Sequence, residues 1–168
     1  MRGRWAAGIP PRNFTWILAQ HLAVSERPGG YSRNHRRVRR QEELIWLREQ
    51  GFTRIVTLLG SPHNLSAYDD EGLNWSQLPL PMSGDVTEEL GTLFNSLEEW
   101  LEAGERILVH QEELGDRIMG AVAAFLLWSG RLEDAPQAIT VVERMLKRVM
   151  GSSGRELLTM LPPRVTRA

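Results

Sequence analysis

Apolar residues recur along this chain with two different periods, and the switch between them separates strands from helices. Phe14, Trp16 and Leu18 stand two apart and residues 22–24 are a second short apolar run, so 14–24 reads as an edge hairpin that Pro28-Gly29-Gly30 closes. Behind Glu42 and Glu43, the positions Leu44, Ile45 and Leu47 follow helical spacing as far as Gly51. Residues 52–60, FTRIVTLLG, are apolar, β-branched and bounded by glycine, which predicts a short buried strand. Residues 61–72 are polar and rich in turn formers, an expected exposed loop, and a strand at 75–78 ends at Pro79 and Pro81. The most regular helical stretch is 86–103, with Leu90, Leu93, Phe94, Leu97, Trp100 and Leu101 on one stripe and Asp85 with Glu88 as an acidic N-terminal cap.

The second half turns on residues 106–128, RILVHQEELGDRIMGAVAAFLLW. An aliphatic strand ends at His110, a polar loop runs from Gln111 to Asp116, and after Arg117 the residues Ile118, Ala121, Val122, Phe125 and Leu126 recur at helical spacing. A strand that passes through a tight loop into a helix aims backbone N–H groups and a helix N-terminus at one point, which suits an anion. Gly130 stops this helix, and Asp134-Ala135-Pro136 starts another whose expected buried face is Ile139, Val142, Met145, Leu146 and Val149. A last short helix is predicted at about 154–161. Strands interspersed with helices predict an α/β protein with helices packed on a central, partly parallel sheet. No repeat or linker divides the chain, so a flexible segment at 1–12 and a single domain over 13–168 are expected.

Composition narrows the function. At 168 residues the chain is long enough for one substantial core, and a net charge of −1 gives no global attraction to nucleic acid or membrane. There is no cysteine, hence no disulfide, thiolate metal site or thiol nucleophile. His21, His35 and His63 are scattered without ligand spacing, so neither a metal nor a cofactor is expected. The N-terminus MRGRWAAGIPPR lacks an apolar core and no apolar run reaches membrane-spanning length, from which a cytoplasmic location is expected. Trp46, Trp100 and Trp128 are expected in the core and Trp5 on an exposed tail. Arg33, Arg36, Arg37, Arg39 and Arg40 form the one strong local charge. Such a cluster is either a solvated face or a docking surface for a phosphoprotein or acidic protein partner; without an aromatic platform it does not suggest nucleic acid.

The segment VHQEELGDRIMGAVAAFLL resembles the phosphate-binding loop of cysteine-dependent dual-specificity and tyrosine phosphatases, V-H-C, five residues, then R-[ST]-G and an alanine-rich helix. His110 and Arg117 stand at matching places. Gln111 occupies the place of the catalytic cysteine, Leu114 that of the loop glycine, Ile118 that of the hydroxyl residue and Met119 that of the next glycine, while Gly115 and Gly120 are each displaced by one. Residues 13–27, NFTWILAQHLAVSER, resemble the N-F-S-W-V-x-P-G-x-L-A-G-S-x-R opening of small atypical dual-specificity phosphatases. Residues 75–90, containing LPLPMSGD, resemble their acid loop, with Met82 where the general-acid aspartate stands. The resemblance covers roughly residues 13–150. It implies a three-layer fold with helices on both faces of a mostly parallel sheet of about four or five strands, a phosphate-binding loop at His110, Gln111, Glu112, Glu113, Leu114, Gly115, Asp116 and Arg117, and a loop-orienting role for His110.

In that family a thiolate attacks phosphorus, the arginine holds the phosphoryl oxygens and an aspartate protonates the leaving group. The neutral amide of Gln111 is no nucleophile, and Met82 is no acid. Asp85 is either a substitute acid or a helix cap, and Arg117 either holds an oxyanion or pairs with Glu112, Glu113 or Asp116. Three functions are compatible with these residues. The leading one is a catalytically inactive, pseudophosphatase-like protein that acts by binding a phospholigand or protein partner. The second is a divergent phosphoester hydrolase in which Glu112 or Glu113 activates water while Arg117 holds phosphate. The third is an α/β interaction domain with no phosphate site.

Overall fold

The computed structural model describes residues 8–30, 37–62 and 65–164. Trp5, Arg33, His35, Arg36 and His63 lie outside them. Five strands form one sheet: β1 (Thr15–Leu18), β2 (Leu22–Ser25), β3 (Arg54–Thr57), β4 (Asn74–Gln77) and β5 (Ile107–His110), in the spatial order β1-β2-β5-β3-β4. The β1–β2 edge hairpin is antiparallel and every other pairing is parallel. The helices are α1 (Arg37–Glu49), α2 (Leu65–Asp70), α3 (Thr87–Glu102), α4 (Asp116–Trp128), α5 (Ala135–Leu146) and α6 (Ser152–Leu157).

The period-two alternation of strand side chains builds two cores, one on each face. Leu22, Val24, Val56, Ile107 and Val109 point into the larger core with residues of α3, α4, α5 and α6. Ala23, Ile55 and Leu108, their chain neighbours, point into the smaller core with α1, α2 and Phe52. Covered on both sides, these central strands need apolar residues at every position, which is why they read as continuous apolar runs. Helix α4 is buried nearly all round. It approaches α6 so closely that a Cβ on Gly120 would lie 2.2 Å from the Gly154 carbonyl oxygen.

Several boundaries differ from the sequence expectations. The supposed loop at 61–72 contains α2, because Leu65 and Tyr68, three apart, bury themselves against the sheet. Helix α1 starts at Arg37, so part of the arginine cluster is helical. Helix α5 is capped as expected, with the Asp134 carboxylate accepting the Gln137 N–H at 2.8 Å, but it ends early. Lys147 turns left-handed at φ 56°, which throws Val149 out to 77% exposure instead of onto the buried face. The last helix is α6 and not 154–161. At α3 the N-cap position falls to Val86; Asp85, one residue earlier, accepts the Thr87 N–H at 3.0 Å and its hydroxyl at 2.6 Å. Trp128 is buried, whereas Trp46 and Trp100 are only half-buried.

Candidate functional site

The parallel strands β2, β5 and β3 end together, and the loops that leave β3, β4 and β5 surround a crevice at their carboxyl ends, where open α/β sheets bind ligands. A cavity of about 740 Å³ lies there. Leu58, Leu59, Pro79, Leu80, Pro81 and Met82 form its apolar side; Gln111, Glu112, Glu113, Asp116, Arg117 and Ser153 form the other.

His110 is fixed from both ring nitrogens. Nδ1 lies 3.0 Å from the Gln111 carbonyl oxygen and Nε2 lies 3.0 Å from the Tyr68 hydroxyl. A carbonyl only accepts, so Nδ1 carries the proton and Nε2 accepts from Tyr68. Burial lowers the His110 pKa to about 4 and raises that of Tyr68, so both are neutral around pH 7. The orienting role expected for His110 thus has a partner that sequence reasoning missed. Its only signal was the Leu65/Tyr68 spacing inside a polar stretch.

Gln111 occupies the end of β5 and is 6% exposed. Its Nε2 donates to the Leu80 carbonyl oxygen at 3.5 Å and lies 4.0 Å from Met82 Sδ. Beyond it the loop residues divide by partner. Glu112 accepts from Arg27 Nη1 at 2.9 Å, while Glu113 is exposed. Leu114 turns into the larger core and does not line the cavity, and its carbonyl accepts from Arg148 Nη1 at 2.6 Å. Gly115 is the extended N-cap of α4. Among the described residues, the backbone N–H groups of Glu112, Glu113, Leu114 and Gly115 meet no protein acceptor.

Of the two readings of Arg117, the pairing with Glu112, Glu113 or Asp116 does not form. Arg117 is 1% exposed, and its Nη1 reaches the Ser153 carbonyl oxygen at 3.2 Å and Glu156 Oε2 at 3.8 Å. Its Nε and Nη2 have no partner. Asp116 is engaged elsewhere, accepting the Gly151 N–H at 2.6 Å and the Gly154 N–H at 2.9 Å at the start of α6.

The substitute acid is also misplaced. Asp85 lies outside the cavity lining, and its hydrogen bonds from Thr87 lower its pKa, leaving it ionised at neutral pH, the wrong state for a proton donor. Met82 is 69% exposed on the rim. The described arginines of the cluster, Arg37, Arg39 and Arg40, do not share one surface either. Arg39 turns inward to the buried Glu43 at 3.4 Å, which also accepts the Gly29 N–H at 2.6 Å. Arg37 and Arg40 border a groove that also contains Ser66, Asp70 and Glu71. Among the described residues no three potential metal ligands gather, and no helix is long and apolar enough to cross a membrane.

A five-stranded mixed sheet, helices on both faces and a strand-loop-helix with a buried arginine in the first turn of the helix make this the fold of the tyrosine and dual-specificity phosphatases. The structure of Tk-PTP in its active form is similar with a TM-score of 0.72 and 22% identity, covering 91% of this chain and 98% of that one. Kinase associated phosphatase with its catalytic cysteine replaced by serine gives 0.74 and 18%, covering 88% and 92%. The catalytic core of the PP-IP phosphatase SIW14 from S. cerevisiae gives 0.67 and 17%, covering 92% and 88%. At these identities the likeness is one of fold. No protein-family model and no curated protein matches the sequence.

Proposed function

We propose that this protein is a catalytically inert phosphatase-fold protein that acts by binding, through the cavity over Gln111. The observation that carries this reading is the amide at the end of β5. The position from which a nucleophile would attack holds a group with no ionised form near neutral pH, buried and bonded to the Leu80 carbonyl. The surrounding residues support it. Arg117 reaches away toward α6, and no proton donor stands at Met82. The water-activating alternative is weakened for Glu112, which is tied to Arg27. An acidic protein partner remains our proposal for Arg37 and Arg40, and we take the compartment to be the cytoplasm.

The test is turnover of para-nitrophenyl phosphate and of a phosphotyrosine peptide. Phosphate release should stay at the blank rate. Protein-dependent release that disappears in Arg117→Ala would overturn the inert reading and favour the hydrolase.

A further inference from the structure

We infer that the cavity over Gln111 takes a small apolar carboxylic acid, its carboxylate on Arg117 and its hydrocarbon body against Leu58, Leu80, Pro81 and Met82; the inference rests on the binding role proposed above. Arg117 is the first ground. Its guanidinium is buried beside the cavity, and Nε and Nη2 find no acceptor in the protein. Buried donors are almost always satisfied, and a cationic donor left unpaired is the costlier kind. Its two existing contacts, at 3.2 Å to a carbonyl and 3.8 Å to the half-exposed Glu156, are loose enough for the guanidinium to turn toward a better acceptor. A carboxylate matches that planar fork with two parallel hydrogen bonds.

Charge selects a monoanion over a phosphate dianion. Around the loop Glu112, Glu113, Asp116 and Glu156 stand against Arg27, Arg117 and Arg148, a net charge of −1 by that count, so each negative charge on a ligand is opposed and a dianion is opposed twice as strongly as a monoanion. The floor contributes a neutral amide at Gln111 where a thiolate would add another negative charge. Shape selects an apolar body. The opposite wall is almost wholly leucine, proline and methionine, and it is large enough for a short hydrocarbon chain.

The experiment titrates the intact protein with four probes of one chain length, hexanoate, hexanol, hexylamine and hexyl phosphate, following methyl resonances of Leu58, Leu80 and Met82 by NMR. Hexanoate should bind tightest, about tenfold ahead of hexanol, a difference in the range of a charge-assisted hydrogen bond, and should move the Met82 methyl. Arg117→Gln should bring hexanoate down to the level of hexanol. Should that buried substitution unfold the chain, Met82→Asp at the exposed rim, which removes apolar contact from every probe, should weaken hexanoate about threefold more than hexanol, as expected for one like charge near the surface. Tightest binding of hexyl phosphate or hexylamine, or no shift of Met82 with any probe, would overturn the carboxylate inference while leaving the inert reading intact. Release of phosphate from hexyl phosphate would instead overturn the inert reading.

Discussion

Acid should destabilise this protein through one imidazole. In the fold His110 is fully buried and neutral, with a pKa lowered from 6.5 to about 4, chiefly by burial. In the unfolded chain it titrates normally. Between those two values the unfolded state binds a proton that the native state refuses, so stability from this residue is complete above about pH 6.5 and falls as the pH drops. A gap of about 2.5 units at 1.36 kcal/mol per unit amounts to about 3 kcal/mol by pH 4, a large share of the 5–15 kcal/mol typical of a domain. Glu43 works in the opposite direction. Burial raises its pKa, so its protonated form is the better folded one and its unfavourable burial is relieved as the pH falls. The two are separated by comparing the parent with His110→Gln in urea denaturation between about pH 7 and about pH 4.5. The parent should lose stability faster, with an excess slope approaching 1.4 kcal/mol per pH unit, about the limit for one proton. Parallel pH profiles for the two proteins would refute the assignment of a buried, neutral His110.

Two further outcomes follow from packing and charge. Gly120→Ala should lower stability by about 1–3 kcal/mol, because its Cβ would press on the Gly154 carbonyl at 2.2 Å; Gly91→Ala in α3, where the nearest atom is Pro162 Cβ at 3.4 Å, should be neutral or stabilising in the same thermal melts. Equal losses for the two would refute the close approach of α4 to α6. Replacing Arg37 and Arg40 together by serine should weaken binding of a glutamate-rich peptide in a salt-dependent way, whereas Arg39→Ser should lower the melting temperature by stripping the buried Glu43 of its cation. Unchanged peptide binding in the double variant would reduce Arg37 and Arg40 to a solvated face.

The fold was legible wherever one periodicity ran uninterrupted. The β1–β2 hairpin, the stripe of α3, the Asp134 cap and the passage from β5 through the loop to α4 all follow from local pattern and capping chemistry. Helix α2 was not legible, because only Leu65 and Tyr68 are buried in a six-residue helix and the polar remainder mimics a loop. Val149 failed for a related reason: the apolar repeat continued past Lys147, but the backbone did not. In the site, the identities of His110, Gln111 and Arg117 were readable from sequence and their partners were not. Proximity offered Glu112, Glu113 and Asp116 as partners of Arg117, as the alternative to an oxyanion. The contacts that form instead reach to Arg27, Tyr68, Arg148 and Ser153, and no spacing rule connects residues across such separations.

Leu114, Asp116 and Arg117 are held by Arg148, by Gly151 with Gly154, and by Ser153 with Glu156. The loop is therefore completed by a segment synthesised more than 30 residues after it. A chain emerging in order exposes β5 and α4 first and closes the loop only when α6 docks. In the finished protein the same dependence runs in reverse. A brief local detachment of α6 frees the anchors of Asp116 and Arg117 together, along with Ser153 on the cavity wall. For the ligand proposed above, exchange with solvent would then be coupled to fraying of α6, and a residue changed on α6, remote in sequence from Gln111, would alter how long that ligand stays.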